Sequence, residues 1–394
     1  MQRLGSVAGR AWSDRRVRTL VIVLAWTVAA INLVRGYRFA LAAPRRGLGD
    51  LHVYLDATRW LRAGSPLYDY TTSTGLGFTY PPFGALVLAA WGFLDDSVAE
   101  VLWTVVSLAA VVGLGTVIGL RARPEWPAAV KWTVAGAIVA VFVQTVFVQA
   151  NLATGQISLM LACLSLVDCS RLFRSHRWGA LSGVAAAIKL TPSLFLLLHV
   201  LVDRRRARWS VATAAAVTVA AAAILPRESL TYWTSALWQT SRVGEVEYLG
   251  NLTWVGVIAR IGLDGTGRLM GLGLGVLTAL VALWNGRRHW RSNPVGAAAI
   301  VGCASVVAAP ISWPHHAVWL IVWGTCLLLS RSVALRLAGA AVLLLSLAWT
   351  PLAAIATQFG GDSVLSMVPV LAMTAAAVVR MPDAGAKVGA DSSA

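Results

Sequence analysis

Side chains capable of chemistry are concentrated in one polar stretch, residues 49–83, of an otherwise apolar chain. The stretch reads GDLHVYLDATRWLRAGSPLYDYTTSTGLGFTYPPF and carries the carboxylates of Asp50, Asp56 and Asp69. The basic side chains close to them are Arg45, Arg46, Arg59 and Arg62. A carboxylate held beside a membrane can accept the proton of a hydroxyl group as that hydroxyl attacks. The pattern therefore favours chemistry at a bilayer surface, with Asp50 as the candidate base.

Each candidate residue also has a purely structural interpretation. Asp50 could cap the helix that follows it, because aspartate is favoured at helix N-termini. Lys189 could extend along the bilayer towards water, although its distance from any basic loop favours a phosphate contact. His315 and His316 could anchor a turn at the membrane interface beside Trp313, or they could belong to a site. The residues alone leave these alternatives open.

The chain offers no metal or redox motif. Its four cysteines are scattered through apolar segments without a CxxC pair, which indicates buried free thiols. The adjacent histidines do not have the HxxxH or HExxH spacing of metal ligands. No cofactor is predicted, and a need for a divalent metal is left open.

Membrane helices must position these residues. The 394 residues are 58% hydrophobic and 13% charged, whereas a soluble domain is about 25% charged. Apolar segments of about 20 residues recur from end to end, and each is long enough to cross a bilayer. The sequence therefore predicts an all-α polytopic membrane protein with a single domain over residues 1–380.

The formal net charge of +16 does not indicate nucleic-acid binding. The arginines lie in short loops between apolar segments, as the positive-inside rule and anionic head groups require. No basic stripe with interleaved aromatic residues occurs. Many of the 18 tryptophans lie near segment ends, which is typical of an aromatic belt. The expected surroundings are membrane lipids, with no nucleic-acid partner.

About 12 crossings are predicted, with both termini in the cytoplasm. The first span, about 19–40, follows a basic segment and resembles a signal peptide. We expect it to be retained as an anchor, because Arg35 and Arg38 separate its apolar core from a potential cleavage site. The span leads into a first outer loop, 41–97.

Two elements of this first outer loop are expected to lie in the membrane interface. Residues 50–62 have apolar residues at helical spacing, which predicts an amphipathic interfacial helix. Residues 82–94 form an apolar run too short to cross the membrane comfortably. A second outer loop is predicted over 226–267, and a disordered cytoplasmic tail over 381–394.

The apolar segment 178–202 has arginines on both flanks, so a single crossing does not explain it. A hairpin of two short helices, with Lys189 to Pro192 at its outer tip, resolves the conflict. This topology gathers polar segments on the outer side of the membrane. They are the Asp50 loop, the turn from Asn151 to Gln156, the Lys189 tip, the Asn251 loop and the His315–His316 turn. Such a gathering indicates a site for head groups, whereas transporters place polar groups near the mid-membrane.

Six motifs occur in an order that resembles one known family. They are GDLHVY, FTYPPF, GQISLML, IKLTP, GNLTW and PISWPHH. Together they are similar to the actinobacterial membrane mannosyltransferases of glycosyltransferase family 87. These enzymes are polyprenol-phosphate-mannose-dependent α-1,2-mannosyltransferases that extend phosphatidylinositol mannosides and lipomannan.

The resemblance implies a GT-C fold with an outward-facing active site in the plasma membrane. It also implies polyprenyl-phosphate mannose as the donor, and a phosphatidylinositol mannoside or lipomannan as the acceptor. The essential acidic residue of the family maps onto Asp50, and its histidine pair maps onto His315 and His316. The chain departs from the family at Leu252 and Thr253, where relatives often carry Gln and Ser. This departure leaves the acceptor open.

The resemblance implies a β-linked donor and an α-linked product, and therefore inversion in one displacement, with Asp50 as the base. The departing phosphate needs only positive charge and hydrogen-bond donors. The residues predicted to supply them are Lys189, His315, His316 and, as a weaker candidate, Arg62. The predicted substrate contacts are His52, Tyr54, Tyr80, Asn151, Gln156, Asn251, Trp254 and Trp313. The alternatives are a lipid-linked sugar flippase or transporter, and a GT-C transferase of another sugar such as arabinose.

Overall fold

The computed structural model describes residues 14–42, 47–172, 177–239, 242–263, 266–358 and 361–381. Arg45, Arg46 and the predicted tail from residue 382 lie outside these residues. Within the described part the chain is helical, and its only pairing of strand type is an isolated bridge between Thr71 and Gly77.

The first helices are α1 (Arg15–Leu41), α2 (Gly49–Arg62), α3 (Pro82–Ala89), α4 (Asp96–Arg121), α5 (Ala128–Phe142), α6 (Val146–Thr154), α7 (Ser158–Ser170), α8 (Ala180–Ile188) and α9 (Ser193–Val202). They continue as α10 (Arg204–Ile224), α11 (Pro226–Thr234), α12 (Trp254–Arg260), α13 (Thr266–His289), α14 (Pro294–Val307), α15 (Val318–Leu328), α16 (Val333–Gln358) and α17 (Asp362–Val378). Short 3-10 helices form at Leu67–Asp69, Trp91–Phe93, Ala236–Trp238 and Pro314–His316.

Five of the described helices are long and apolar enough to cross a membrane. They lie in α1, α4, α10, α13 and α16. The pair α5 and α6 would make a sixth span, although it bends by 64° at its break. The chain is therefore a polytopic membrane protein. Several shorter apolar helices accompany these spans, and the figure of about 12 crossings stays a prediction.

Helix α2 forms because its apolar residues recur at the helical period, as the sequence predicted. Leu51, Tyr54, Leu55 and Thr58 are all buried. They face the protein core, while Trp60 on another face is exposed. The buried stripe fixes the rotation of α2 about its axis, and that rotation decides which polar side chains of the helix face inward.

The segment predicted to form a hairpin breaks where expected. Helices α8 and α9 are separated by an extended Lys189 (φ −147°, ψ 135°) and by Pro192. Proline interrupts the helix because it lacks an N–H group and restricts the residue before it. The break leaves Lys189 outside every helix.

The start of α8 and the end of α9 both lie near Arg206. At the start of α8, the carboxylate of Asp168 accepts hydrogen bonds from the N–H groups of Gly179 (2.6 Å) and Ser182 (3.0 Å). Arg206 donates to the backbone carbonyl of Asp168. Helix α9 ends at Val202, directly before α10, which contains Arg206. Lys189 therefore projects from the far end of an anchored pair of helices.

Helices α14 and α15 form the most buried part of the bundle. Every residue from Val295 to Val307 is buried, and so is every residue from Val318 to Leu327. Small residues in α14 allow this close approach. At Gly302, for example, a Cβ atom would collide with the ring of Trp319. The turn that joins the two helices carries the histidine pair, so a rigid support holds it.

Candidate active site

Asp50 lies in the first turn of α2, but it does not cap the helix. The N-cap residue is Leu48, with φ 30° and no side-chain hydrogen bond to the helix. The Asp50 carboxylate instead accepts a hydrogen bond from Gln156 Nε2 at 2.9 Å. Its Oδ2 also lies 4.0 Å from His315 Nε2. The interpretation of Asp50 as a helix cap is therefore wrong, and its carboxylate belongs to a polar cluster.

Burial raises the pKa of Asp50 above its ordinary value of 3.8. The charge of Lys189 and hydrogen bonds from Thr154 and Gln156 oppose this shift without cancelling it. The side chain keeps 28% of its surface exposed. An accessible carboxylate with a raised pKa accepts a proton more readily than an ordinary one. Asp50 therefore has the properties of a general base.

Gln156 is the centre of the cluster. Its Oε1 accepts hydrogen bonds from the hydroxyl of Tyr54 (2.6 Å), from the hydroxyl of Tyr80 and from the N–H of Ile157 (3.1 Å). Donors occupy this oxygen, so the amide nitrogen must point the other way, towards Asp50. Gln156 thereby fixes the position of the carboxylate.

The turn that carries Gln156 packs directly on the start of α2. Gly155 ends α6 in the left-handed region, with φ 68°. A Cβ atom there would lie 2.7 Å from the Cβ atom of Leu51. Glycine satisfies both the backbone conformation and the close approach. This contact explains why Gln156 reaches Asp50 across 106 residues of sequence.

Lys189 lies on the other side of Gln156. Its Nζ is 3.2 Å from the Tyr80 hydroxyl, 3.4 Å from Gln156 Oε1 and 2.8 Å from His316 Nε2. Burial lowers the pKa of Lys189 to about 7, although Asp50 partly opposes the shift. A cation in this position would face any anion that entered the cluster.

The histidine pair belongs to this site. The two rings stand 4.3 Å apart at 88°. Gln156 Nε2 lies 3.2 Å from His315 Nε2, and the His315 carbonyl accepts from Asn151 Nδ2 at 3.3 Å. Burial, together with the charge of Lys189, lowers the pKa of both histidines well below 6.5. Both rings are therefore neutral at neutral pH.

A cavity of about 660 Å³ opens onto these groups. Its polar wall includes Asp50, Tyr54, Thr154, Gln156, Lys189, Arg242, Trp313, His315 and His316. The rest of the lining is largely apolar and includes Leu190, Leu194, Leu237 and Ile311. A volume of this size and composition suits a ligand with a polar head and an apolar tail. Among the described residues, no three His, Cys, Asp or Glu side chains are grouped to hold a metal ion.

The model of glycosyltransferase family 87 matches residues 78–312. The chain belongs to this family. The matched region includes Tyr80, Gln156 and Lys189 of the cavity wall, and it ends three residues before His315. Because the chain belongs to this family, the cavity is that of a membrane glycosyltransferase.

Curated relatives extend the match over most of the chain. A Mycobacterium tuberculosis protein is 31% identical over 86% of this chain and 84% of its own length. It is named polyprenol-phosphate-mannose-dependent alpha-(1-2)-phosphatidylinositol mannoside mannosyltransferase. A Mycolicibacterium smegmatis protein of the same name is 30% identical over 87% of this chain and 82% of its own length. No solved structure matches the chain.

A second group of relatives carries a related name. One, from Mycobacterium tuberculosis, is 32% identical over 78% of this chain and 71% of its own length. Its name is polyprenol-phosphate-mannose-dependent alpha-(1-2)-phosphatidylinositol pentamannoside mannosyltransferase. The two groups are named for different acceptors, and identity to this chain does not separate them.

The structure joins all five segments that the predicted topology gathered. Gln156 touches Asp50 and His315, Lys189 touches His316, and the loop of Asn251 touches the histidine turn. In that last contact, Asn251 Oδ1 accepts the N–H of Ser312 at 3.1 Å. Asn151 and Asn251 are both fully buried, so they hold the loops in place and do not line the cavity.

Three further residues predicted to contact the donor or acceptor lie outside the cavity wall. Arg62 donates to the Gly92 carbonyl at 2.8 Å and stacks 4.2 Å from the centre of the Phe93 ring. His52 pairs with Glu100 at 2.8 Å. Neither Arg62 nor His52 lines the cavity, and the predicted phosphate contact of Arg62 is not supported.

Trp254 likewise turns away, and its Nε1 donates to Thr278 Oγ1 at 3.2 Å. Trp313 does line the cavity, where its ring lies edge-on to Tyr248, with ring centres 5.6 Å apart. Of the two tryptophans predicted to contact substrate, the structure therefore places only Trp313 in the cavity wall.

The sequence reasoning did not single out Arg242, which lines the cavity. Its guanidinium donates to the Tyr68 carbonyl and packs against Gly77, where a Cβ atom would lie 2.9 Å from Nη2. Burial lowers its pKa, and the charge of Asp69 opposes the shift. Arg242 lies in a loop that the sequence predicts to be outside the membrane, where the positive-inside rule makes a basic residue unusual, and this was the available signal.

Gly84 of α3 offers a test of how Lys189 is positioned. A Cβ atom at Gly84 would lie 2.6 Å from the carbonyl oxygen of Ile188, directly before Lys189. We expect Gly84→Ala to push this segment aside and to lower kcat/KM by about tenfold, because small misplacements in a site are costly. The matched control is Gly273→Ala in α13, where no atom lies within 4 Å of the new Cβ. Equal activity of both variants would show that Lys189 does not depend on this contact.

Proposed function

We propose that this protein transfers mannose from polyprenyl-phosphate mannose to a hydroxyl group of a mannosylated phosphatidylinositol, forming an α-1,2 linkage. The observation that carries the proposal is one cavity with a carboxylate, Asp50, and an amine, Lys189, on its wall. Gln156 joins the two through hydrogen bonds. The names of the family 87 relatives supply the sugar, donor and linkage.

In the proposed reaction Asp50 accepts the proton of the acceptor hydroxyl. As the hydroxyl oxygen bonds to the anomeric carbon, the bond from that carbon to the phosphate oxygen breaks. The polyprenyl phosphate leaves with the electron pair, and the configuration is inverted. One carboxylate suffices because a phosphate leaving group needs no proton, unlike the alcohol released by a glycoside hydrolase.

Lys189 and His316 are the proposed partners of the donor phosphate, with His315 beside them. Charge-assisted hydrogen bonds to phosphate are stronger than neutral ones. The polyprenyl chain would lie along the apolar lining near Leu190 and Leu194. Since each buried CH₂ contributes about 0.8 kcal/mol, a long chain can hold the donor with few sugar contacts.

The departure from the family at Leu252 and Thr253 does not carry acceptor specificity. Leu252 is 2% exposed and Thr253 is fully buried. Thr253 Oγ1 accepts the N–H of Gly256 at 3.0 Å and so caps α12, as a serine would. We propose that the acceptor is a phosphatidylinositol mannoside or lipomannan, bound by the cavity rim near Arg242 and Trp313.

The proposed location is the plasma membrane, with the cavity on the extracytoplasmic side. The arginine-rich connections, such as that from Asp203 to α10, would then be cytoplasmic, in line with the positive-inside rule. In this arrangement the short helices α2 and α3 lie in the outer interface. Short apolar helices complete about 12 crossings in a GT-C fold, within a single domain over residues 1–380.

A transfer assay tests the proposal directly. Purified protein in lipid would receive radiolabelled polyprenyl-phosphate mannose and a phosphatidylinositol mannoside acceptor. We expect label to move to the acceptor in an α-1,2 linkage. Movement of intact donor across the bilayer without transfer would instead support a flippase. Transfer of arabinose but not mannose would keep the fold and reject the sugar.

The pH dependence of transfer follows from Asp50. The reaction needs the carboxylate form, so the rate should rise as pH increases through the pKa of Asp50. Because burial raises this pKa, we expect the acidic limb of kcat/KM for the acceptor to lie above pH 3.8. Initial rates over a pH series would locate it. A limb at or below the ordinary aspartate value would contradict the assignment of Asp50 as base.

A further inference from the structure

The hydrogen bonds of His316 fix which of its nitrogens carries a proton. The backbone N–H of Trp313 points at Nδ1 from 3.0 Å, and the Ser312 hydroxyl lies 3.0 Å from the same atom. A backbone N–H can only donate, so Nδ1 must be an acceptor without a proton. A neutral imidazole then carries its proton on Nε2. His316 therefore presents an N–H group to the cavity.

That N–H group points at the amine of Lys189, with 2.8 Å between the nitrogens. The other two partners of Lys189 Nζ are acceptors. Tyr80, whose hydroxyl proton goes to Gln156 Oε1, accepts at 3.2 Å. Gln156 Oε1 accepts at 3.4 Å. The surroundings therefore offer two acceptors and one donor.

A neutral amine has two N–H groups and one lone pair, which matches these partners. An ammonium ion has three N–H groups and no lone pair. Its third proton would face the Nε2 proton of His316 across 2.8 Å. These contacts thus fit a neutral Lys189 and conflict with a charged one.

We propose that Lys189 is a neutral amine before the donor binds and takes up one proton from solvent when the donor phosphate binds. Lys–NH₂ becomes Lys–NH₃⁺, and no other bond changes. The ammonium and the His316 N–H then both donate to the phosphate oxygens. This inference rests on the proposed function for the identity of the donor.

The charged groups around Lys189 agree with this assignment. Asp50 favours the ammonium form, while burial opposes it and lowers the pKa of Lys189 to about 7. His315 and His316 are neutral, since burial, the largest cause, lowers their pKa values. An incoming phosphate adds a negative charge at contact distance, which raises the pKa of an amine. Lys189 therefore becomes a cation when the phosphate anion binds.

Titration calorimetry would count the protons. The probe is a short-chain prenyl mannosyl phosphate, without acceptor, titrated into the full-length protein in nanodiscs. This phosphodiester does not titrate near neutral pH, so any proton taken up belongs to the protein. Binding heats in two buffers of different ionisation enthalpy give the number of protons that the protein takes up on binding. From a pKa of about 7, we expect uptake of about 0.9 proton at pH 8 and about 0.1 at pH 6.

Lys189→Arg is the matched variant, because a guanidinium stays protonated throughout this range. It should bind the probe with no proton uptake. Wild-type binding at pH 8 without proton uptake would overturn the inference and leave the proposed function intact. Equal uptake by Lys189→Arg would assign the proton to another group and would also overturn it. No binding to folded wild type would reject both the donor and the inference.

Chemical labelling gives a second readout that needs neither the variant nor the donor. Acetic anhydride reacts with neutral amines, and mass spectrometry can follow Lys189 with Lys131 as the internal reference for reagent decay. We expect the acetylation rate of Lys189 to reach half its maximum near pH 7, in line with its pKa of about 7. A rate that still rose steeply above pH 9 would contradict the neutral amine.

Discussion

Asp50→Asn should abolish transfer and leave donor binding nearly unchanged. Asparagine keeps the shape of the side chain and can still accept the hydrogen bond from Gln156 Nε2, which now reaches Asp50 at 2.9 Å. It cannot take a proton from the acceptor hydroxyl. General bases contribute about 10²- to 10⁴-fold to a rate, so we expect kcat to fall by about 10³-fold or more. The transfer assay measures the rate, and calorimetry measures donor affinity.

The control for this variant is Asp56→Asn on the same helix. Asp56 pairs with Arg59 at 3.4 Å and does not line the cavity. Exposed ion pairs of this kind contribute about 0–1 kcal/mol, so its activity should stay within about twofold of wild type. Substantial transfer by a folded Asp50→Asn would remove Asp50 from the mechanism, whatever the control does.

The geometry of α2 explains which predictions from the first loop succeeded. Successive residues turn by about 100° around a helix. Tyr54 follows Asp50 by four residues and shares its face, and both line the cavity. His52 follows by two residues, points to the opposite face and meets Glu100. Arg62 lies about 18 Å along the axis from Asp50, too far to share one phosphate. The helical period could have excluded His52 and Arg62 from the sequence alone.

For the long-range contacts, the sequence predicted which segments come together but not which side chains touch. Charge patterns placed the loops of Asp50, Gln156 and His315 on one side of the membrane, and proline placed Lys189 at a break. Such patterns do not show which atoms meet. Gln156 was expected to contact substrate and does line the cavity, but no pattern indicated that its amide oxygen accepts from Tyr54 and Ile157 or that its nitrogen holds Asp50.

Residues in irregular loops were the hardest to assign. Asn251 was predicted to contact substrate, yet its side chain accepts the N–H of Ser312 and donates to the Val246 carbonyl. Arg242 was missed, although it lines the cavity. Neither residue lies in a segment whose apolar residues recur at a helical or strand spacing. The partners of a loop side chain depend on elements far away in sequence. Only the folded chain shows them.

Lys189→Ala should weaken donor binding more than it slows the chemical step. The variant removes one charge-assisted hydrogen bond to the donor phosphate, which is worth about 1.5–3 kcal/mol. That loss corresponds to roughly 10- to 100-fold in donor affinity. It also frees Tyr80 and His316, both of which now contact the amine. The measurements are the donor affinity by calorimetry and kcat at saturating donor.

The pH dependence separates this role from a purely structural one. If wild-type Lys189 must gain a proton when the donor binds, its affinity should fall by about tenfold per pH unit above pH 7. Lys189→Ala has no amine to protonate, so its weaker affinity should not vary with pH. Lys131→Ala, which removes the amine that donates to the Pro124 carbonyl, should keep the wild-type profile. Unchanged donor affinity in Lys189→Ala would count against any phosphate contact, and a sloping profile in that variant would place the titrating group elsewhere.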